Sequence, residues 1–84
     1  MGNFEASGAT GDPVAAATAT AIRVGLARKN STQAALAGHL HLSQPAVHRR
    51  MVGKVPWRID ELMEAATFLG VSVTDLINDE KASA

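Results

Sequence analysis

Residues 33–53 read QAALAGHLHLSQPAVHRRMVG. A small-residue helix here carries Leu36, Ala37 and Leu40, and a three-residue turn follows. Ser43 then opens a second short helix bearing Gln44, His48, Arg49 and Arg50. Two short helices joined by so tight a turn have the layout of a helix-turn-helix that reads DNA with its second helix. The charge around the stretch agrees. Residues 13–59 hold seven Lys or Arg and no Asp or Glu, and all eight acids lie outside that window. The formal net charge of zero therefore conceals a basic middle. Because the Debye length is about 8 Å, a basic face acts separately from an acidic one. Asp60, Glu61 and Glu64, then Asp75, Asp79 and Glu80, are expected to face away from that middle.

Eighty-four residues suit one small domain, and helices suit that size because their hydrogen bonds close locally. There is no cysteine, hence no disulfide framework and no thiolate metal site. No apolar run approaches the ~20 residues of a membrane span. The start, MGNFEAS, is too polar for a secretory signal and lacks the myristoylation pattern. These features lead us to expect a soluble, cytoplasmic protein without a membrane partner.

Outward from the central stretch, the chain reads as an all-α domain of five short helices over residues 12–78. A flexible arm over residues 1–11 and a frayed tail over 79–84 flank it. Asp12 and Pro13 suit a helix start. The first helix should run from Pro13 to about Lys29, with Ala15, Ala19, Ile22 and Leu26 buried at spacings of three and four. Asn30 and Ser31 break it. The second helix should start after Ser31 or Thr32 and end near His39 or Leu40. Ser43 caps the third, Pro45 stands in its first turn, and Val47 and Met51 form its inner face. It should end near Val52, where Gly53 takes a left-handed stop. Trp57 reads as a core or lid residue in the following loop. The fourth helix covers about residues 59–69, with Leu62, Ala65, Ala66 and Leu69 inward, and Gly70 ends it. Ser72 to Asp75 forms a capping box for a short fifth helix through Asn78 that buries Val73, Leu76 and Ile77.

Several of these elements recur together in a known family. Gln33, Leu36, Ala37, the run Leu42-Ser43-Gln44, Val47, Arg49, Gly53 and the run Leu69-Gly70-Val71 stand in order and at the right intervals. In this the chain resembles the lambda-repressor-like (XRE/Cro) helix-turn-helix family of phage repressors and Cro proteins, over residues 13–78. It is similar in particular to helix-turn-helix proteins common in actinobacteria and their phages. Two positions depart from the pattern. His41 stands where the family usually has Gly in the turn. Arg50 stands on an often apolar site, where Met51 would take over the inner contact and thereby rotate the third helix slightly or free Arg50 for phosphate.

The residues themselves suggest their chemistry. Gln44, first in the third helix, matches the bidentate pairing of glutamine with adenine N6 and N7. Arg49 matches guanine with its two-pronged fork. His48, one turn beyond Gln44, is placed for a guanine edge or a phosphate. Pro45, besides suiting a helix start, and Ala46 are placed to meet thymine methyls. Arg50, Lys54 and Arg58 are expected at phosphates, which position a protein but carry no sequence code. Ser43 and Thr32 combine capping with possible phosphate contact at helix N-termini. The resemblance implies that Gln33 also touches phosphate and braces Gln44.

The function expected is that of a sequence-specific repressor of phage Cro or immunity-repressor type, bound to a double-stranded DNA operator through the major groove. Pairing of two copies through the fifth helix would be weak. The alternative is an antitoxin or adaptor acting mainly through protein interaction. No paired carboxylates, Ser-His-Asp grouping or Gly-rich phosphate loop points to an enzyme or a small-molecule substrate. His39, His41 and His48 fit no common zinc signature, so neither metal nor cofactor is expected.

Overall fold

The computed structural model describes residues 13–77. It is all-helical: α1 (Pro13–Lys29), α2 (Gln33–Leu40), α3 (Gln44–Met51), α4 (Ile59–Leu69) and α5 (Val73–Ile77), with no strand among the described residues. The arm, Asp12, Asn78 and the tail lie outside the described residues.

Local chemistry sets the helix starts. Thr32 Oγ1 accepts the Ala35 N–H at 3.1 Å, and Ser43 Oγ accepts the Ala46 N–H at 3.1 Å. Each satisfies a donor that the first helical turn leaves unpaired. At α5, Ser72 Oγ accepts the Asp75 N–H at 3.3 Å. At α4 the roles are reversed, because Arg58 has no side-chain acceptor to offer. Instead the Glu61 carboxylate reaches back to the Arg58 N–H at 3.0 Å.

The helix ends share one device. After α1, α2, α3 and α4 the chain turns left-handed at Asn30, His41, Gly53 and Gly70, with φ of 57°, 60°, 84° and 74°. The next residue's N–H then reaches back to a carbonyl of the last turn: Ser31 to Leu26 at 2.8 Å, Leu42 to Ala37 at 2.9 Å, Lys54 to Arg49 at 2.8 Å and Val71 to Ala66 at 3.0 Å. This is the Schellman arrangement, which pairs orphan carbonyls and turns the chain sharply. His41 therefore occupies a left-handed conformation that glycine adopts more readily.

One core joins the helices. Ile22, Leu36, Val47 and Leu76 are the largest fully buried side chains, from α1, α2, α3 and α5. Leu62, Ala65 and Ala66 of α4 complete the cluster, with Leu40, Trp57, Leu69, Val73 and Ile77 partly buried against it. Met51 is buried at the inner face of α3, where the sequence suggested it would replace an apolar residue at position 50. The buried stripe of α1 differs from expectation. Ala15 is only half-buried, whereas Ala17 and Thr18 are buried. Thr18 belongs there because its hydroxyl donates to the Leu76 carbonyl at 2.7 Å, so a polar side chain enters the core fully paired.

Candidate nucleic-acid interface

The eight residues of α3 divide by helical periodicity. Val47 and Met51 are buried, and Gln44, Pro45, His48 and Arg49 are all exposed. These four stand at spacings of three and four and so share one face. Within the described residues, the side chains of Gln44, His48 and Arg49 are held by no hydrogen bond or ion pair. Gln33 is half-buried at the start of α2, while Thr32 and Ser43 are exposed and act as caps.

The loop between α3 and α4 folds back on the end of α3. The Lys54 and Val55 N–H groups both reach the Arg49 carbonyl, at 2.8 and 3.2 Å. This anchors the exposed Lys54 next to Arg49. Trp57, as expected, packs against the core, and its buried Nε1 meets no hydrogen-bond acceptor among the described residues. Arg58 Nε lies 3.2 Å from Asp60 Oδ1, with the two side chains 72% and 68% exposed. So exposed a pair contributes little and leaves the Arg58 guanidinium accessible to an anion.

Arg50 departs from the expected phosphate role. Its side chain is 13% exposed and lies against Glu61, itself 11% exposed. Nε donates to Glu61 Oε1 at 2.8 Å and Nη2 to Oε2 at 3.1 Å, a bidentate pair. Nη1 turns back to the Ala46 carbonyl at 2.9 Å. Burial pushes the Glu61 carboxyl up, but the Arg50 hydrogen bonds, the Arg58 N–H and the Arg50 charge outweigh it and hold the group below its ordinary value.

The expectation that the acids of α4 face away from the basic segment is likewise corrected. Asp60 meets Arg58, Glu61 meets Arg50, and Glu64 Oε1 lies 3.3 Å from His39 Nε2. The cause is chain geometry. A short loop brings the start of α4 beside the end of α3, α4 also packs against α2, and opposite charges pair where they meet. Further along α4, Phe68 takes the Lys29 ammonium over its ring at 4.7 Å, and the His39 ring stands 5.1 Å away at a tilt of 40°. Cation–ring contacts of this kind are electrostatically favourable, and they tie the end of α1 to α4.

Residues 14–84 match the BetR domain. The chain belongs to the BetR domain family. BetR domains are small, helical and associated with DNA-binding regulators, which fits a basic helix–turn–helix-like pair of this shape. No curated protein and no solved structure matches the chain.

Two residues that shape this BetR domain escaped the sequence reading. Thr18 belongs to no motif that marks it out on α1. Glu61 is grouped in the sequence only with the acids expected to face away from the basic middle, although its position three residues after a helix boundary is where a capping acid stands. That spacing was the available signal for its contact with Arg58, but not for its contact with Arg50. Among the described residues no helix is long and apolar enough to cross a membrane.

Proposed function

We propose that this BetR domain is a sequence-specific DNA-binding regulator of the phage Cro or immunity-repressor kind, acting by occupying an operator. The observation that carries this reading is the exposed face of α3, with Gln44, Pro45, His48 and Arg49 together. Gln44 and Arg49 would read adenine and guanine edges in the major groove, and His48 a guanine or a phosphate. Lys54 and Arg58 would hold phosphates, joined by the exposed N-termini of α2 and α3 with Thr32, Gln33 and Ser43. Binding rather than catalysis is the work proposed, in the cytoplasm, where the operator lies. Two copies would meet weakly through α5, whose Val73 and Ile77 keep part of their surface. Half-sites about one helical turn apart would follow.

The test is selection of bound duplexes from a random pool, followed by titration of the selected and a scrambled duplex at several salt concentrations. A selected site whose advantage persists as salt rises supports the reading. Equal affinity for both duplexes overturns it, and the symmetry of the selected site reports the stoichiometry.

One observation favours a second reading, as an adaptor or antitoxin. Ile59 and Met63, one turn apart on α4, are 62% and 55% exposed, an apolar pair suited to a protein partner. Co-purification of a tagged chain with the product of a neighbouring gene, lost in Met63→Lys, would support that reading over the first.

A further inference from the structure

The sequence places Arg50 on the helix proposed to read DNA, immediately beside Arg49, as one more cation for the phosphate backbone. The structure gives it a different partner. Arg50 lies on the border between the exposed and buried faces of α3. Its guanidinium is turned from the exposed face toward the start of α4, with both prongs on Glu61 at 2.8 and 3.1 Å and its remaining terminal nitrogen on the Ala46 carbonyl at 2.9 Å. The same Glu61 carboxylate accepts the Arg58 N–H at 3.0 Å. One acid thus ties the last turn of α3, the end of the loop bearing Lys54, and the first turn of α4. A bidentate pair restricts rotation as well as distance, so it also resists any roll of α3 about its own axis. A roll would re-aim Gln44, His48 and Arg49 together, since they share a face.

We propose that Glu61 is a positioning residue for DNA reading: by holding Arg50 it keeps a sequence-blind cation away from the phosphates and fixes the rotation of α3. The proposal rests on the DNA-binding reading above. Its physical basis is that a phosphate contact strengthens binding to every sequence alike, whereas base contacts discriminate. Withdrawing one cation from the backbone therefore lowers general affinity and leaves a larger share of binding to the bases. Glu61 touches no DNA in this scheme and acts through Arg50.

The test compares wild type, Glu61→Gln and the paired variant Arg50→Gln/Glu61→Gln on a mixed-sequence duplex and on the duplex selected from a random pool, across a salt series. In Glu61→Gln, Arg50 loses its charged partner and turns to phosphate. The slope of log affinity against log salt should steepen by about 0.9, the increment for one phosphate. The ratio of selected to mixed-sequence affinity should fall in both variants, because each frees the rotation of α3, whereas a phosphate contact alone would leave that ratio unchanged. The paired variant, lacking the cation, should keep the wild-type slope. An unchanged slope and ratio in Glu61→Gln overturns the proposal, as does an equal steepening in the paired variant. A second measurement needs no substitution. In a proton–nitrogen spectrum of the wild-type protein, the Arg50 Nε–H signal should stay in place as the selected duplex is added, while backbone signals of α3 move. A shift of that signal to a phosphate-bound position overturns the proposal. If the wild-type protein binds neither duplex, the DNA-binding reading itself fails, and that outcome differs from every one above.

Discussion

The Thr18 hydroxyl donates to the backbone carbonyl of Leu76 at 2.7 Å, a buried contact between residues fifty-eight positions apart. It joins the first described helix to the last. Leu76 stands in the final turn of α5, where carbonyls have no partner within the helix. Thr18 supplies one from across the core, and Leu76, 2% exposed, can seat its side chain without leaving a buried acceptor unpaired.

Thr18→Val preserves shape and removes the donor. The stranded Leu76 carbonyl should cost about 1–3 kcal/mol. For a domain of this size each kcal/mol lowers Tm by roughly 4–8 °C. Thermal denaturation followed by circular dichroism measures it, and an unchanged Tm would mean that the hydroxyl contributes nothing to stability.

Glu61 should make stability depend on acid. Its folded-state carboxyl is held below the ordinary value of 4.5, so the unfolded chain binds the proton more readily. The stabilisation is complete above that ordinary value and is lost as pH falls through the lower folded value. Urea unfolding of wild type and Glu61→Gln at a series of pH values should show a gap that is constant near neutrality and closes on descent below about 4.5. A gap independent of pH would show that the ion pair is not the source.

His41→Gly should stabilise the domain. A side chain in the left-handed region is strained, and glycine relieves the strain at some cost in unfolded-chain entropy. The net gain should reach up to about 1 kcal/mol. Asn30→Gly, at a residue whose short polar side chain can bond locally in this conformation, should gain less. Chemical denaturation of the two variants side by side ranks them, and a loss of stability in His41→Gly would contradict the reading of φ at this turn.

Arg49→Ala and Lys54→Ala should separate base reading from phosphate holding. The first should relax selectivity at one base pair by about 1–3 kcal/mol. The second should weaken selected and scrambled duplexes alike and flatten the salt slope by about 0.9. Anisotropy titrations at several salt concentrations distinguish them, and identical behaviour of the two variants would remove the distinction drawn between their roles.

Much of this fold could be read from the chain because its signals are local. Thr32 and Ser43 cap helices with their own side chains three residues on. Gly53 and Gly70 stop helices by their own backbone. Val47 and Met51 face inward through helical spacing alone. None of these needs a distant partner. The exposed face of α3 follows from the same periodicity, so the residues proposed to read DNA were visible as a group before any tertiary contact was known.

The amino-acid sequence by itself determined where α1 to α4 begin and end, the inner face of α3 and where the cations concentrate. Only the tertiary structure decided which charges meet. Arg50 and Glu61 are eleven positions apart, on helices whose mutual placement is set by the core and the intervening loop. Composition reported a basic middle with distant acids, whereas the folded chain brings α4 against it and takes Arg50 out of the surface. Thr18 was hidden for the same reason, since its acceptor belongs to the far end of the chain. Caps and periodicity act over one or two turns of helix, while ion pairs and buried hydrogen bonds across a core depend on how whole helices pack.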